Sequence, residues 1–196
     1  MATSASSRSS TLHSSDWVAA AFSRFADQGI ESVRVEVLAR DLGVSKGSFY
    51  WHFRDRGELL EEMLAHWERE ELEWIDADDN DGPASRWARI VAKTASPDRI
   101  RSEVALRGWA RRDSRVAARV AAIEGKKAAL IARVLRDVGF APSAADAWSE
   151  IVLMVCLGWL DRATRDRGFL AASRGLGEFL SDVVLAASSG SSPLNS

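Results

Sequence analysis

Cysteine and histidine, the residues that most often bind metals or react with substrates, are scarce in this sequence. The 196 residues include one cysteine and three histidines. A single cysteine excludes an internal disulfide scaffold, and His13, His52 and His66 have no zinc-ligand spacing to each other or to Cys156. The sequence has no H-E-x-x-H motif, and Gly125-Lys126-Lys127 lacks the preceding glycine that a phosphate-binding loop needs. We therefore expect no metal site, no cofactor and no enzymatic activity.

Long hydrophobic runs and an excess of one charge sign are also missing. A membrane-spanning helix needs about 20 residues, so we expect the shorter apolar run at 151–160 to form a buried helix, with no membrane partner. Residues 1–15 are rich in serine and lack the apolar core of a signal peptide. The formal net charge is −2, and residues 1–60 hold seven basic and seven acidic side chains. The acidic stretch at 68–81 is predicted to be solvated. These features predict a soluble, cytoplasmic protein.

Residues 33–53 have the pattern of a helix-turn-helix. One apolar stripe of an α-helix is formed by Val35, Leu38, Ala39 and Leu42. Gly43 is predicted to end this helix, because glycine adopts the left-handed conformation without a steric clash. Ser45 is predicted to cap a second helix over about residues 46–53.

The second helix of this unit has an apolar face and a polar face. Phe49 and Phe53 are four residues apart, so they share the inward face. The opposite face carries Lys46, Gly47, Tyr50, Trp51 and Arg54. An exposed tyrosine and tryptophan are typical of a protein contact, of partial cover by a neighbouring helix, or of a nucleic-acid contact. The neighbouring Lys46 and Ser48 favour DNA.

Helical patterns also precede and follow this unit. An upstream helix, capped by Ser14 or Ser15 and ended by Gly29, is indicated by Val18, Ala21, Phe22 and Phe25. Asp55 and Glu58 form a capping arrangement at the start of a long helix with an apolar face of Leu60, Met63, Leu64 and Trp67. Five further helices are predicted at about residues 84–93, 98–112, 114–138, 143–167 and 173–187.

Residues 22–60, with LGVSKGSFYWHF at their centre, resemble the tetracycline-repressor (TetR) family of transcriptional regulators. The resemblance implies an all-α homodimer, in which a three-helix head reads a palindromic operator on double-stranded DNA. A long fourth helix would join this head to a helical ligand-binding and dimerisation domain, giving about nine helices in total. It further implies a repressor that a small-molecule inducer releases. The expected divisions are a DNA-binding domain at 1–60 with a flexible arm at 1–14, a second domain at 61–187 and a flexible tail at 188–196.

The resemblance assigns DNA contacts to the start of the second helix, to the recognition helix and to the start of the fourth helix. The nine residues concerned are Arg34, Ser45, Lys46, Gly47, Ser48, Tyr50, Trp51, His52 and Arg56. Residues 46–48 would meet the major groove, and the side chains at 50–52 can donate hydrogen bonds to phosphates.

Two positions depart from the family pattern. The family often has threonine or serine where this chain has Arg34, and an arginine there would contact phosphate with more charge. Glu36 occupies a position at which some relatives read a guanine with arginine. A carboxylate at this position either faces solvent or accepts a hydrogen bond from a cytosine amino group, so the operator sequence stays open.

The resemblance also implies a dimer interface and a ligand pocket. In the family, the last two helices form a four-helix bundle with those of a second copy, and here their apolar surface consists of Trp148, Ile151, Val152, Leu176, Phe179, Leu180 and Val183. Family pockets lie between the fourth helix and later helices, which suggests a lining of Met63, Trp67, Trp109, Met154 and Trp159. Such a lining predicts a hydrophobic or aromatic ligand, although large aromatic residues also serve simply as core.

Two other functions stay open from the sequence. One is a helical DNA-binding or adaptor dimer that needs no ligand and responds to its own concentration. The other is an enzyme, which no motif supports. A regulator is distinguished by a preference of about 10³-fold or more for its own site, whereas a non-specific binder discriminates poorly among sequences.

Overall fold

The computed structural model describes residues 12–77, 82–94, 96–165 and 181–182. Within these ranges the chain is all-α, without strands, which confirms the predicted class. A short 3₁₀ turn at Ile30–Ser32 follows the first of the eight helices, which are α1 (Ser14–Gln28), α2 (Val35–Asp41), α3 (Lys46–Phe49), α4 (Arg56–Asp76), α5 (Pro83–Thr94), α6 (Pro97–Ala110), α7 (Ser114–Asp137) and α8 (Pro142–Arg165). Helices α5 to α8 lie within two residues of their predicted bounds. The ninth predicted helix, at 173–187, falls outside the described residues except for the helical pair 181–182.

The starts of α1 and α4 depend on acidic side chains. The Asp55 Oδ1 atom accepts a hydrogen bond from the Glu58 backbone N–H at 2.9 Å, as a capping residue should. The Glu58 carboxylate reaches back to the Arg54 backbone N–H at 2.7 Å. Helix α1 is capped at His13, one residue before the predicted serines, because the Asp16 carboxylate accepts from the His13 N–H at 2.7 Å.

A single hydrophobic core connects the amino-terminal helices with the later ones. The ring of Phe25 in α1 packs edge-on against Trp109 in α6, with centroids 5.8 Å apart. The buried cluster continues from there through α7 to Val152 in α8. The predicted boundary between residues 60 and 61 lies inside α4, whose buried Leu59 and Met63 belong to this same cluster. Movement of α4 therefore changes packing on both sides of that boundary.

Helix α8 is buried along one stripe only, which corrects the expectation of a fully buried helix at 151–160. Its stripe against α7 includes Ala145, Ser149 and Val152. The other side exposes Ile151 and Met154, which are 41% and 60% accessible. Residues 142–162 are long and apolar enough to cross a membrane by length and composition, but core helices of soluble proteins pass the same test.

Candidate functional site

The turn between α2 and α3 is built on glycine. Gly43 has φ of 70°, a conformation that side chains with a Cβ atom rarely adopt. The next N–H, from Val44, donates to the Ala39 carbonyl at 2.9 Å, and the Gly43 N–H donates to Arg40 at 3.1 Å. These bonds satisfy carbonyls at the end of α2. The structure therefore confirms that Gly43 ends this helix and redirects the chain into α3.

Two phenylalanines fix the inner face of the α3 region, as predicted. Phe49 is fully buried and Phe53 is 5% accessible. Their rings stack with centroids 5.3 Å apart, and Trp17 of α1 meets the Phe49 ring edge-on at the same separation. Tyr50 and Trp51 lie on the outside, 54% and 89% accessible. The polar face predicted from the sequence is therefore open to a partner.

Helix α3 itself is shorter than predicted. It ends at Phe49 rather than near Phe53, and residues 50–52 form a turn. The reason is visible in the backbone, since the N–H groups of His52 and Phe53 both donate to the Phe49 carbonyl, at 2.9 and 3.0 Å. This turn carries Phe53 into the core just before the Asp55 cap starts α4. It leaves His52 half-buried rather than on an open helix face.

Lys46 and Glu36 form an ion pair that links α3 to α2. The side chains remain 51% and 64% accessible, so the pair lies at the surface. The hydrogen bond from Lys46 lowers the pKa of Glu36, and the same bond raises the pKa of Lys46. Glu36 thus faces solvent, held by the lysine, at the edge of the surface that carries Tyr50 and Trp51.

Ser45 occupies the N-cap position of α3, but its hydroxyl does not cap the helix. The Ser45 carbonyl instead accepts from the Ser48 N–H at 3.0 Å. This corrects the predicted side-chain cap. The first N–H groups of α3 are therefore satisfied from outside the helix or by water, and the exposed Ser45 side chain lies beside them.

The two predicted arginines have different surroundings. Arg34 is exposed and donates through Nε to the Glu31 carbonyl at 3.1 Å. Arg56 is half-buried and donates to the carbonyls of Val33 and Ile30, at 2.5 and 2.6 Å. It therefore fastens the first turn of α4 to the segment before α2. The sequence predicts that Arg56 contacts DNA. Such a contact would use the same guanidinium group that already donates hydrogen bonds to the protein backbone.

A partly open cavity with a volume of about 60 Å³ lies between α5, α6, α7 and α8. An apolar wall of Ile90, Ile100, Ile131, Leu153, Leu157 and Leu160 faces charged residues from α6 and α7. Cys156 also lines it, and burial raises the pKa of this thiol to about 11, which keeps it neutral. A wider cleft of about 500 Å³, between α1, α4 and α6, shares Lys93, Arg99 and Glu103 with the cavity.

None of the five predicted pocket residues lines this cavity, and the predicted lining stays a prediction. Met63, Trp67 and Trp109 are buried in the main core, and Trp67 also borders the wider cleft. Met154 points outward from α8, and Trp159 packs beside Ile100 and Leu160. Aromatic content identified residues that need burial, and Trp109 also lines a separate cleft beside Arg56.

A buried charge network beside the cavity was missed from the sequence. Glu71 of α4 is 1% accessible, although the acidic stretch was predicted to be solvated. It is paired with both terminal nitrogens of Arg99 and, at 2.9 Å, with Lys127. Lys127 also reaches Glu103 at 2.9 Å, and Arg107 joins Glu103 to Glu124. The sequence contained one indication of this network. Arg99, Glu103 and Arg107 are spaced four residues apart, so they lie on one face of α6 and can form ion pairs there.

The network keeps its carboxylates ionised. Burial by itself raises the pKa of Glu103, but Lys127, Arg107 and Arg99 outweigh that effect and lower the pKa to about 2. Burial opposes ionisation of Glu71 in the same way, and its hydrogen bond with Arg99 and the charge of Lys127 leave its pKa below the ordinary value. Buried ion pairs of this kind cost much to break, because removing one partner leaves a charge without compensation.

Comparison with known proteins finds a family and relatives that match the amino-terminal part of the chain. Residues 18–63 match the family described as bacterial regulatory proteins, tetR family. Over 47 residues the chain is 38% identical to the HTH-type transcriptional regulator AcrR of Shigella flexneri, covering 24% of this chain and 20% of that protein. Over 73 residues it is 34% identical to the HTH-type transcriptional repressor KstR2 of Mycolicibacterium smegmatis, covering 37% and 30%. The chain thus spans a third or less of either protein.

Solved structures share the fold over most of the chain. A transcriptional regulator from Rhodococcus sp. Rha1 superposes with a TM-score of 0.66 at 18% identity, covering 88% of this chain and 92% of that chain. GusR from Salmonella enterica gives a TM-score of 0.60 at 17% identity, covering 87% and 94%. The arrangement of helices beyond residue 63 is therefore a known one.

Proposed function

We propose that the chain is a cytoplasmic, sequence-specific DNA-binding regulator that represses transcription until a small ligand releases it, of the kind found in the tetR family of bacterial regulatory proteins that residues 18–63 match. The observation that carries the proposal is the pairing of buried Phe49 and Phe53 with exposed Tyr50 and Trp51. The phenylalanines hold the segment rigidly, so the outer side chains can meet a groove with little loss of entropy.

The proposed DNA contacts divide into two kinds. Lys46 and Ser48 at the start of α3 are suited to base edges in the major groove, where a lysine recognises guanine acceptors. The side chains of Tyr50, Trp51 and His52 each offer a hydrogen-bond donor to phosphate oxygens. Arg34 adds a positive charge beside them. Because residues 1–60 have no net charge, affinity would depend on this local placement rather than on a broad basic field.

A second copy of the chain is the proposed partner of α8. The exposed Ile151, Met154 and Val155 form an apolar surface on a helix whose other side packs on α7. Trp148 and Val152, predicted for the interface, are half-buried and buried. The remaining predicted interface residues, Leu176, Phe179, Leu180 and Val183, lie outside the described part of the chain. A symmetric pair would present two α3 segments to major grooves about 34 to 36 Å apart.

The proposed functions are divided between two parts of the chain. Residues 1–60 bind DNA, and residues 61–187 bind the ligand and the second copy, with α4 as the connection. Ligand binding near Glu71 would change how α4 packs and so the separation of the two α3 segments. A ligand shifts this equilibrium only to the extent that it binds one arrangement more tightly than the other.

Selection of binding sites from random double-stranded DNA tests the proposal. We expect recovery of a palindrome, with half-sites about one helical turn apart and a preference of about 10³-fold or more over unselected DNA. Recovery of sequences without a common motif would overturn the proposal in favour of a non-specific binder. An operator whose affinity does not change with any small molecule would favour the ligand-independent alternative.

A further inference from the structure

Among the described residues that line it, the cavity between α5, α6, α7 and α8 has more basic than acidic side chains. Four basic side chains line it, namely Lys93, Arg99, Arg107 and Lys127. Three carboxylates neutralise this set, namely Glu71, Glu103 and Glu124. One cation is therefore left over in a partly buried place, where a compensating negative charge stabilises it.

Among the cations of this cavity, Lys93 has no carboxylate partner within the described part of the chain. Among the residues that the structure describes, its recorded contact is with the ring of Trp74, 6.0 Å from the ammonium to the ring centroid. The side chain is half-buried and lines both the cavity and the wider cleft. Lys93 and Arg99 both lie where the cavity meets the cleft, and both are close to the ring of Trp74.

The rest of the cavity is apolar. Ile90, Ile100, Leu157 and Leu160 form the wall away from the charges, and the Cys156 thiol stays neutral there. We infer that the cavity binds a small apolar monocarboxylic acid, with its carboxylate between Lys93 and Arg99 and its hydrocarbon part against α8. This inference rests on the proposed function and names the chemical class of the ligand that it requires.

The size of the cavity sets the size of the acid. Its volume of about 60 Å³ has room for roughly four to six water molecules, at 10 to 15 Å³ each. A short acyl or aryl group fits with its head in the cleft, whereas a bulky or polycyclic ligand requires α8 to move. Hexanoate is therefore a suitable probe.

The same geometry connects the ligand to α4. Arg99 is held by both carboxylate oxygens of Glu71, the buried acidic residue of α4. A ligand carboxylate that accepts a hydrogen bond from Arg99 competes with Glu71 for this guanidinium. Binding thus weakens the attachment of α4 to α6, which is the change that a release mechanism needs.

Calorimetric titration with hexanoate, 1-hexanol and hexylamine tests the inference, because the three probes share a chain and differ in the charge of the head. We expect hexanoate to bind saturably and about tenfold or more tightly than the other two, which is the contribution of a charge-assisted hydrogen bond. Equal or tighter binding of hexylamine or hexanol would overturn the inference, and so would the absence of hexanoate binding.

Variants of two lysines locate the site. Lys93→Gln should abolish the preference for hexanoate over hexanol, and Lys93→Arg should retain it. Lys126→Gln, at an exposed position of α7, is the matched control and should leave the preference unchanged. An unchanged preference in Lys93→Gln, with the thermal unfolding midpoint of the wild type, would contradict the inference. Operator selection is performed without ligand. A protein that selects a palindrome but does not bind hexanoate would therefore refute the inferred ligand class and leave the proposed DNA-binding function standing.

Discussion

Lys46 in α3 and Glu36 in α2 form an ion pair at the edge of the proposed DNA-binding surface. The pair keeps a negative charge next to the side chains that would approach phosphates. Each Lys46 contact with DNA must therefore compete with Glu36, and the carboxylate itself is repelled by the phosphate backbone. Two opposite predictions follow from this geometry, one for each partner.

Replacing Glu36 should strengthen DNA binding. In Glu36→Gln the negative charge is lost and Lys46 is released toward the DNA, so the affinity for the selected operator should rise about fivefold at low salt, as one exposed charge interaction allows. Fluorescence anisotropy across a salt series measures this. Glu150→Gln, at an exposed position of α8, serves as the control and should bind as the wild type does. Weaker binding by Glu36→Gln would mean that Glu36 itself reads a base.

Replacing Lys46 or Tyr50 should weaken DNA binding without affecting the fold. Both side chains are exposed, so Lys46→Ala and Tyr50→Phe remove contacts to DNA and little packing. Lys46→Ala should also relax the preference for one base pair of the selected operator, as expected for one lost base contact, and anisotropy with single-base operator variants measures this. Circular dichroism should be unchanged for both variants. Wild-type affinity in both would contradict the assignment of this surface.

Phe49→Ala should affect stability instead. The ring of Phe49 is fully buried between Trp17 and Phe53, and its removal leaves a cavity that costs about 3 to 5 kcal/mol of unfolding free energy. Urea denaturation measures the change. Trp51→Ala is the matched control, because Trp51 is 89% accessible and its removal should alter stability by about 0.5 kcal/mol or less. Equal destabilisation by the two substitutions would contradict the assignment of inner and outer faces.

The buried network should make stability depend on pH. The pKa of Glu103 is about 2 in the folded protein, against an ordinary value of 4.5. A lowered folded-state pKa stabilises the protein above pH 4.5, and this contribution of about 3 kcal/mol is lost as pH falls from 4.5 toward 2. The stability gap between the wild type and Glu103→Gln should therefore narrow over this window in urea titrations. A difference in unfolding free energy that stays constant from pH 6 to pH 3 would show that ionisation of Glu103 does not cause the pH dependence.

The exposed side of α8 should control oligomerisation. Ile151→Glu combined with Met154→Glu places two charges in the proposed interface, and we expect dissociation to monomers in sedimentation measurements, with loss of operator affinity. Ala129→Glu, at an exposed position of α7, introduces the same side chain elsewhere and should leave the dimer intact. A dimer that survives the double substitution would place the interface on another surface.

Local signals made the amino-terminal fold predictable. Gly43, the Asp55 cap and the Phe49 and Phe53 pair each act within a few residues, so the sequence specifies them directly. The length of α3 was overestimated because the turn at residues 50–52 depends on placing Phe53 in the core, which the helical period does not encode.

Long-range features were not predictable in the same way. Glu71 and Arg99 are 28 residues apart, and their pairing depends on how α4 meets α6. An acidic stretch is usually solvated, so the burial of Glu71 within the described part of this stretch has no local signature. The position of the cavity likewise depends on how four helices leave space between them, which the choice of tryptophans does not determine.

Site-directed photocrosslinking tests the central claim most directly. Benzoylphenylalanine in place of Trp51 should crosslink to the selected operator, and the same residue in place of Trp148 should crosslink to a second copy of the chain and leave the DNA unlabelled. Crosslinking of position 51 to protein alone, or of position 148 to DNA, would contradict the assignment of the α3 surface to DNA and of α8 to the dimer.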